Sequence, residues 1–329
     1  MEKFMKHIDA HIHFLGDEPT SLALMAQLDL KMMNICVAHD SQGEWRRQAD
    51  SYERLAKTYP DRYAWCTSFD LPRFDDPGYV EKVITGLERD FDEGKAVACK
   101  VWKNIGMEVQ TPAGGYLMVD DPLLEPIFGY LEEKNKTLLM HIAEPLECWL
   151  PLKEGSPHYG YYSRNPQWHM HGKTHMPSHG SLMAARDAIA ARHPDLRVIG
   201  AHFGSLEYDV AELAWRFDRR PNFAVDISAR LLDFALQDTA AVRQFCLDYQ
   251  DRILLGTDIV TNEPFSTLSA SALESRLQRT EEIYRQHFQF FESDAPMTLR
   301  GYEVLGLGLP MPVLEKIYFQ NAQRWYPGL

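Results

Sequence analysis

The sequence predicts an α/β protein, and in particular a (β/α)8 barrel, also called a TIM barrel. Eight short apolar runs alternate with amphipathic stretches, and they lie at residues 7–13, 34–40, 63–70, 96–104, 137–145, 198–205, 223–228 and 253–259. Strands that alternate with helices imply right-handed crossovers and a parallel sheet. The chain has 329 residues, whereas a plain barrel needs roughly 250. A doubly wound open sheet is the second architecture that the pattern allows.

The helices expected between these runs are marked by apolar periodicity and by Pro, Gly or Asn at their ends, and they lie at 48–59, 78–91, 122–134, 181–193 and 239–249. Two segments take up the extra length. Residues 146–180 form an irregular, Tyr- and His-rich insertion after the fifth strand. Residues 262–308 follow the eighth strand, contain an expected helix at 272–291 and lead to a last helix near 312–325. Without a linker or repeat in the sequence, we predict one domain over 1–329 with a lid at 146–180 and a helical C-terminal extension.

The charge and the cysteines exclude several function classes. Acidic residues exceed basic ones by 47 − 34 = 13, so the net charge is −13, which disfavours nucleic acid and anionic membranes as partners. The five cysteines include no CxxC spacing, so a disulfide framework is not expected and a reducing compartment fits. The start lacks the features of a signal peptide, and no apolar run reaches the roughly 18 residues that span a bilayer. We expect a cytoplasmic protein that acts on a small molecule, and a homodimer is the expected assembly.

The first strand ends in a pair of histidines with metal-binding spacing. Residues 9–13 are Asp-Ala-His-Ile-His. Side chains two residues apart on a strand point to the same face, about 6.6 Å apart, so His11 and His13 can project together and share one ion. The alternative is that both are ordinary histidines with hydrogen-bonded rings.

Three further polar residues end apolar runs at equivalent positions. His141 ends the fifth run, His202 the sixth and Asp258 the eighth, and barrel active sites lie at these carboxyl ends. Imidazole and carboxylate in apolar surroundings are costly unless they are paired or bound to metal. A ligand set of imidazole and carboxylate without thiolate suits Zn²⁺, with Mn²⁺, Fe²⁺ or Ni²⁺ as alternatives. Glu207 and Asp226 are candidates to orient the histidines, although structural caps or ion pairs explain them equally well.

Lys100 interrupts the apolar fourth run. One interpretation is a lysine inside the barrel that pairs with Glu144 or Asp258, and we favour it slightly. The other is a buried lysine with a lowered pKa, because burial favours the neutral amine. A neutral amine can react with CO₂ to form a carbamate that bridges two metal ions.

Four residues are candidates for substrate binding. Trp102 and Lys103 follow the fourth strand, where Lys103 can contact an anionic substrate. Arg164 in the insertion and Arg230 after the seventh strand are candidate clamps for a carboxylate, because guanidinium binds carboxylate with two hydrogen bonds. For each arginine, surface ion pairing is an equally good explanation.

Taken together, these residues resemble the amidohydrolase superfamily, and more narrowly its amidohydrolase 2 branch, which includes lactonases and aminocarboxymuconate-semialdehyde-type decarboxylases. Residues 193–204 are similar to the sixth-strand signature of that branch, and residues 308–322 to its terminal helix. The resemblance implies that the metal ligands are His11, His13, His141 and Asp258. It makes His202 either a ligand of a second metal or a proton donor. Lys100 occupies the place of the carbamylated lysine of binuclear members, although most of the branch resembles mononuclear enzymes, so one Zn²⁺ is expected and two remain an alternative.

The expected activity is metal-assisted hydrolysis of a lactone, ester or amide in a small, carboxylated substrate. In this hypothesis Asp258 accepts the proton of the attacking water and His202 stabilises the oxyanion or supplies a proton. The alternative is non-oxidative decarboxylation at the same site, with an arginine gripping the carboxylate. A metal-holding protein without catalysis is the third hypothesis, and the complete set of ligands disfavours it.

Overall fold

The computed structural model describes residues 5–40, 43–261 and 263–329, and in this part of the chain eight parallel strands form a nearly closed barrel. The strands are β1 (His7–Ile12), β2 (Leu30–Ile35), β3 (Tyr63–Thr67), β4 (Ala98–Val101), β5 (Thr137–Met140), β6 (Arg197–Gly200), β7 (Phe223–Asp226) and β8 (Ile253–Leu254). They follow one another in chain order around the sheet. Backbone hydrogen bonds from Ala10 N to Leu255 O (2.9 Å) and from Asp258 N to His11 O (2.8 Å) join the first strand to the segment after the eighth. The barrel interpretation is therefore confirmed over the open sheet.

Helices connect the strands. They are α1 (Pro19–Gln27), α2 (Arg46–Thr58), α3 (Tyr79–Asp92), α4 (Asn104–Met107), α5 (Glu125–Glu133), α6 (Tyr159–Tyr162), α7 (His179–Arg192), α8 (Ala201–Gly204), α9 (Val210–Arg219), α10 (Leu231–Ala235), α11 (Thr239–Asp248), α12 (Ala270–Glu292), α13 (Met311–Glu315) and α14 (Asn321–Trp325). Short 3-10 turns lie at Leu146–Trp149, Pro166–Trp168 and Phe265–Thr267, and a π-helix at Lys316–Gln320 joins α13 to α14. Both α4 and α8 contain non-helical residues and are irregular turns.

Two layers of apolar side chains stabilise the barrel. One cluster takes buried residues from all eight strands, including Ala10, Met33, Leu139 and Leu254, and fills the interior. A larger cluster lies between the strands and the surrounding helices. Such filling makes the barrel a solid support, so ligands are confined to its ends. No helix in the described ranges combines the length and the apolar composition that crossing a membrane requires.

The strands differ from the predicted runs mainly at their ends. The second strand is Leu30–Ile35 instead of 34–40, and the fifth ends at Met140 instead of at residue 145. The reason is that the chain stays apolar and buried after it leaves the sheet, so an apolar run extends beyond the last ladder hydrogen bond. His141, His202 and Asp258 therefore lie just beyond the ends of their strands, at the rim.

The segment after β8 contains more than the predicted helix. Helix α12 is long, as expected, but its buried residues, including Tyr284 and Phe291, pack against the barrel. A hairpin follows, made of β9 (Pro296–Leu299) and β10 (Tyr302–Leu305), which the sequence did not predict. Its two-residue turn is Arg300 and Gly301, with φ of +50° and +88°. This turn reaches the barrel rim, where Arg300 lines the cavities described below.

Candidate metal centre

The side chains predicted for the metal site meet at the carboxyl-terminal rim of the barrel. They lie within strands or directly after them: His11 and His13 at β1, Lys100 in β4, His141 after β5, His202 after β6 and Asp258 after β8. Parallel strands open their carboxyl ends on one side, which is why residues so far apart in the chain come together.

The two histidines of the first strand face one carboxylate. His11 Nε2 lies 3.7 Å and His13 Nε2 lies 3.5 Å from Asp258 Oδ1. His11 is inaccessible to solvent and His13 is 7% exposed. The Asp258 side chain is 25% exposed, so it forms the side of the group that opens towards solvent.

His202 enters the group from a left-handed turn. Residues 202–205 all have φ between +56° and +61°, a conformation that costs residues with a Cβ about 1–3 kcal/mol each. Two hydrogen bonds hold the turn: the backbone N–H of His202 donates to Asp226 Oδ1 (3.0 Å), and its ring Nδ1 lies 2.9 Å from the carbonyl oxygen of Ser228. Strain of this kind is concentrated at functional sites, where surrounding contacts maintain it.

One ring nitrogen each of His11 and His202 and one oxygen of Asp258 lie within 4.8 Å of one another. His13 joins this group through Asp258, as described above. The ring of His141 lies 4.3 Å from that of His202, measured between centroids. The geometry thus places His202 inside the group, beside the four residues that the family resemblance makes ligands.

Asp226 holds two of these histidines in place. Its Oδ2 lies 2.8 Å from His11 Nδ1, and its Oδ1 accepts from the backbone N–H groups of His202 (3.0 Å) and Ser228 (3.1 Å) and from the Ser228 hydroxyl. Burial raises the pKa of this carboxyl, and the neighbouring His202 and Ser228 oppose that shift. The contacts of Asp226 fit a residue that orients histidines better than a structural cap or an ion pair. Ser228 was missed, although it stands two residues further along the same run.

The hydrogen bonds fix which nitrogen of each ring faces the cavity. A carboxylate and a carbonyl can only accept, so Nδ1 donates in both His11 and His202 and Nε2 keeps its lone pair. Burial holds the pKa of His11, His13, His141 and His202 well below the usual value, so the rings are neutral. Neutral imidazole is the form that binds metal. The imidazole and carboxylate donors therefore fit a divalent cation.

Asp9 belongs to the same Asp-Ala-His-Ile-His run but serves a different purpose. Its carboxylate accepts from the Thr257 hydroxyl (2.5 Å), the Thr257 backbone N–H (3.2 Å) and the Tyr284 hydroxyl (2.7 Å). Burial raises the pKa of Asp9 to about 7. These bonds tie β1 to the residue before Asp258 and to helix α12, so Asp9 sets the position of the Asp258 backbone.

Lys100 is 1% exposed, and its Nζ lies 3.4 Å from His11 Nε2. Burial lowers its pKa, while the negative charge of Asp258 opposes the shift. Glu144, one of the two partners suggested by the sequence, pairs instead with Lys103. Lys100 thus contacts His11 of the candidate metal site, and the negative charge of Asp258 acts on it.

A cavity of about 370 Å³ opens over this group, and Trp102, Lys103 and Arg230 contribute to its wall. Lys103 lies 4.0 Å from the centroid of the Trp168 ring, and burial lowers its pKa to about 8. The Nε of Arg230 is buried and has no hydrogen-bond partner among the described residues. Arg164 lies elsewhere: it is exposed, and its Nε donates to Gly160 O (2.7 Å).

The insertion after β5 supplies the opposite wall of the cavity, through residues that include His158 and Tyr161. His158 Nε2 lies 2.6 Å from Asp233 Oδ1 in α10, and the Tyr302 hydroxyl of the hairpin donates to Gly155 O (2.8 Å). The Tyr162 hydroxyl donates to Glu144 Oε2 (3.0 Å). These contacts fasten residues 146–180 to three sides of the rim.

The close packing behind His202 can be tested at Gly200. A Cβ there would lie 2.6 Å from the Gly204 Cα and 3.0 Å from the Phe223 ring. We expect Gly200→Ala to lower the free energy of unfolding by about 1–3 kcal/mol through overpacking, as measured by chemical denaturation. The control is Gly129→Ala in α5, where a Cβ meets nothing within 4 Å and a gain of about 0.5–1 kcal/mol is expected. Equal stability of Gly200→Ala and the native protein would contradict the packing described.

The sequence of residues 8–328 matches the family model described as amidohydrolase, Amidohydro_2. The protein belongs to this amidohydrolase family. It is therefore an enzyme of the metal-dependent amidohydrolase superfamily. No curated protein matches the sequence.

Solved structures with this fold include enzymes of different activities. A 2,6-dihydroxybenzoate decarboxylase complexed with 2,6-dihydroxybenzoate has a TM-score of 0.59 and 17% identity, covering 98% of this chain and 99% of that one. A dihydroxybenzoic acid decarboxylase from Polaromonas sp. JS666, with bound manganese and the inhibitor 2-nitroresorcinol, has a TM-score of 0.57 and 15% identity. The match covers 98% of this chain and 97% of that one. A 4-oxalomesaconate hydratase from Rhodopseudomonas palustris has a TM-score of 0.56 and 12% identity, and the match covers 98% of this chain and 96% of that one. At these identities the likeness shows the shared fold.

Proposed function

We propose that this amidohydrolase hydrolyses a C–O or C–N bond in a small carboxylated substrate, such as a lactone, ester or amide. The observation that carries the proposal is the position of Asp258, whose Oδ1 lies within 3.7 Å of the Nε2 atoms of both His11 and His13 and which lines the cavity. A divalent cation bound by these residues would supply Lewis-acid activation of water and of the substrate carbonyl. We propose Zn²⁺ as that cation.

We assign the proton transfer of this reaction to Asp258. Burial raises the pKa of its carboxyl to about 6, against the opposing positive charges of Lys100 and Arg230. In the proposed reaction the ionised carboxylate acts as the general base that accepts a proton from water. The same carboxyl can return the proton to the leaving group, and its partial exposure gives it access to both.

The hydrogen bonds of His202 argue against its role as a proton donor. Its Nδ1–H donates to the Ser228 carbonyl, so in the neutral ring Nε2 has no proton to give. Burial keeps the ring neutral. We therefore propose His202 as a cation ligand or as the acceptor that orients the attacking water.

Arg230 supports a carboxylated substrate, and it also supports decarboxylation as a second candidate. Arg230 lines the cavity, and guanidinium binds carboxylate in either reaction. In hydrolysis the gripped carboxylate orients a separate scissile bond. In decarboxylation the gripped carboxylate is the group that leaves. Residues 146–180 are proposed to act as a lid in both.

Removal of metal is expected to abolish activity. Purified protein dialysed against a chelator should lose at least about 10²-fold in rate, because the cation supplies several kcal/mol of stabilisation to the transition state. Zn²⁺ or Mn²⁺ added back should restore the rate and also raise the melting temperature. Full activity of protein shown to be metal-free by elemental analysis would end the proposal.

A substrate panel separates the two candidate reactions. Lactones, esters and amides of small acids would be assayed in H₂¹⁸O beside aromatic and unsaturated acids. Hydrolysis places one ¹⁸O atom in the acid product, whereas decarboxylation releases CO₂ and takes up no oxygen from water. Release of CO₂ together with an organic product that contains no ¹⁸O would replace the first proposal by the second.

A further inference from the structure

A second cavity adjoins the metal centre. It has a volume of about 760 Å³ and lies between helix α12, the turn of the β9–β10 hairpin and the rim of the barrel. Asp258, Ala229 and Arg300 line this cavity as well as the cavity over the metal group. One molecule can therefore reach both spaces past Asp258, and the volume is within the range of small-molecule sites.

The lining of the second cavity is rich in positive charge. Arg276 and Arg279 stand one turn apart on α12 and both line it, as does Arg300 from the hairpin turn. Asp258 is the carboxylate among the lining residues. A cavity lined by three arginines and one aspartate is unexpected in a chain whose net charge is −13. The surplus of positive charge is therefore confined to the second cavity.

These arginines are weakly engaged by the protein itself. Arg276 donates to the Val260 carbonyl at 3.5 Å, and among the described residues Arg276, Arg279 and Arg300 form no ion pair. Arg285, on the same helix but outside the cavity, pairs with Glu282. In the part of the chain that the structure describes, no carboxylate thus competes with an anion for these guanidinium groups.

A buried and unpartnered group lies in the same wall. His287 lines the cavity and is only 6% exposed. Its Nδ1 donates to Ile283 O (2.7 Å), while its Nε2 has no partner among the described residues. Burial lowers the pKa of this ring to about 4, so Nε2 is an acceptor. His287 therefore adds a neutral ring with a buried, unpartnered nitrogen to the wall that also carries the three arginines.

We infer that this cavity is an anion-binding subsite for the substrate, in which Arg276, Arg279 and Arg300 hold a carboxylate or phosphate group while the reactive bond lies against Asp258. The substrate is then an elongated molecule with an anionic end remote from the cleaved bond. This inference rests on the proposed function for the position of the reactive bond, whereas the anion site itself is independent of which reaction takes place.

The test measures binding of simple anions to the metal-loaded enzyme. Inorganic phosphate and glutarate are titrated by calorimetry at constant ionic strength, with chloride as the reference anion. We expect one of them to bind, and the tighter of the two identifies phosphate or carboxylate chemistry. The double variant Arg276→Met/Arg279→Met should weaken that binding by at least 10-fold, and Arg285→Met should leave it unchanged.

Arg230→Met separates the subsite from the metal cavity. If the anion occupies the proposed subsite, this variant retains binding. Loss of binding in Arg230→Met, with retention in the double variant, would place the anion at the metal cavity and overturn the inference. Binding no stronger than that of chloride would overturn it too. The experiment measures binding and no turnover, so a failure of the proposed reaction cannot produce either result. Unchanged melting temperatures show that the variants are folded.

Discussion

Asp258→Asn is expected to lower kcat/KM by about 10³-fold or more. The substitution keeps the shape of the side chain and one carbonyl oxygen, but it removes the base whose positioned proton transfer is worth about 10²–10⁴-fold. Asn can still serve as a weak ligand beside His11 and His13, so most of the metal should remain. The measurement combines steady-state kinetics on the substrate found by the panel with elemental analysis of the purified variant.

An exposed carboxylate provides the control for Asp258. Asp195 lies before β6, at the opposite end of the barrel from the metal centre, and is exposed. Asp195→Asn should have native activity and native metal content. If Asp258→Asn retained more than about a tenth of the native rate with its metal bound, another group would be the base and the mechanism would have to be changed.

The barrel was predictable because its signals are local. Each strand is a short apolar run, and each helix shows its own periodicity, so the alternation is visible without tertiary information. The ends of the strands were less predictable, because Ile142 and Ala143 remain buried after β5 has left the sheet. Burial by neighbouring loops has the same apolar signature as burial inside a sheet.

The convergence of the site residues was predictable for a geometric reason. In a parallel barrel the residue that ends one strand lies near the residues that end the others, so His11, His202 and Asp258 were expected together. The structure places one ring nitrogen of each histidine and one oxygen of Asp258 within 4.8 Å of one another. The left-handed turn at His202 was not predictable, because its positive φ depends on bonds to Asp226 and Ser228.

Hydrogen bonds between residues far apart in the chain also could not be predicted from the sequence. Asp9 stands in the histidine run, yet its carboxylate is occupied by Thr257 and by Tyr284, which is 275 residues away. No local pattern reports such a bond. The hairpin after α12 was missed because its strands are short and half exposed, and its Arg300 reaches the rim only through that hairpin turn. The positions of Arg164 and Lys103 likewise depend on how the insertion packs.

The second large effect is expected at Asp226, on metal affinity. Asp226→Asn removes the charge that fixes the His11 ring and supports its basicity, while an amide oxygen can still accept from the backbone N–H groups of His202 and Ser228. Loss of such an orienting carboxylate weakens metal binding by about 10–100-fold. Competition with a chromophoric zinc chelator measures the affinity directly, without any substrate.

A second buried aspartate distinguishes orientation of the metal ligands from general stability. Asp90 is 1% exposed and accepts from Arg46 and from the Thr67 hydroxyl, both at 2.5 Å. Asp90→Asn should therefore destabilise the fold in chemical denaturation and leave the metal affinity of the folded enzyme near native. If Asp226→Asn and Asp90→Asn lowered metal affinity equally, Asp226 would act through stability alone. A selective loss at Asp226 would mean that a residue outside the set of ligands determines how tightly the rim holds its cation.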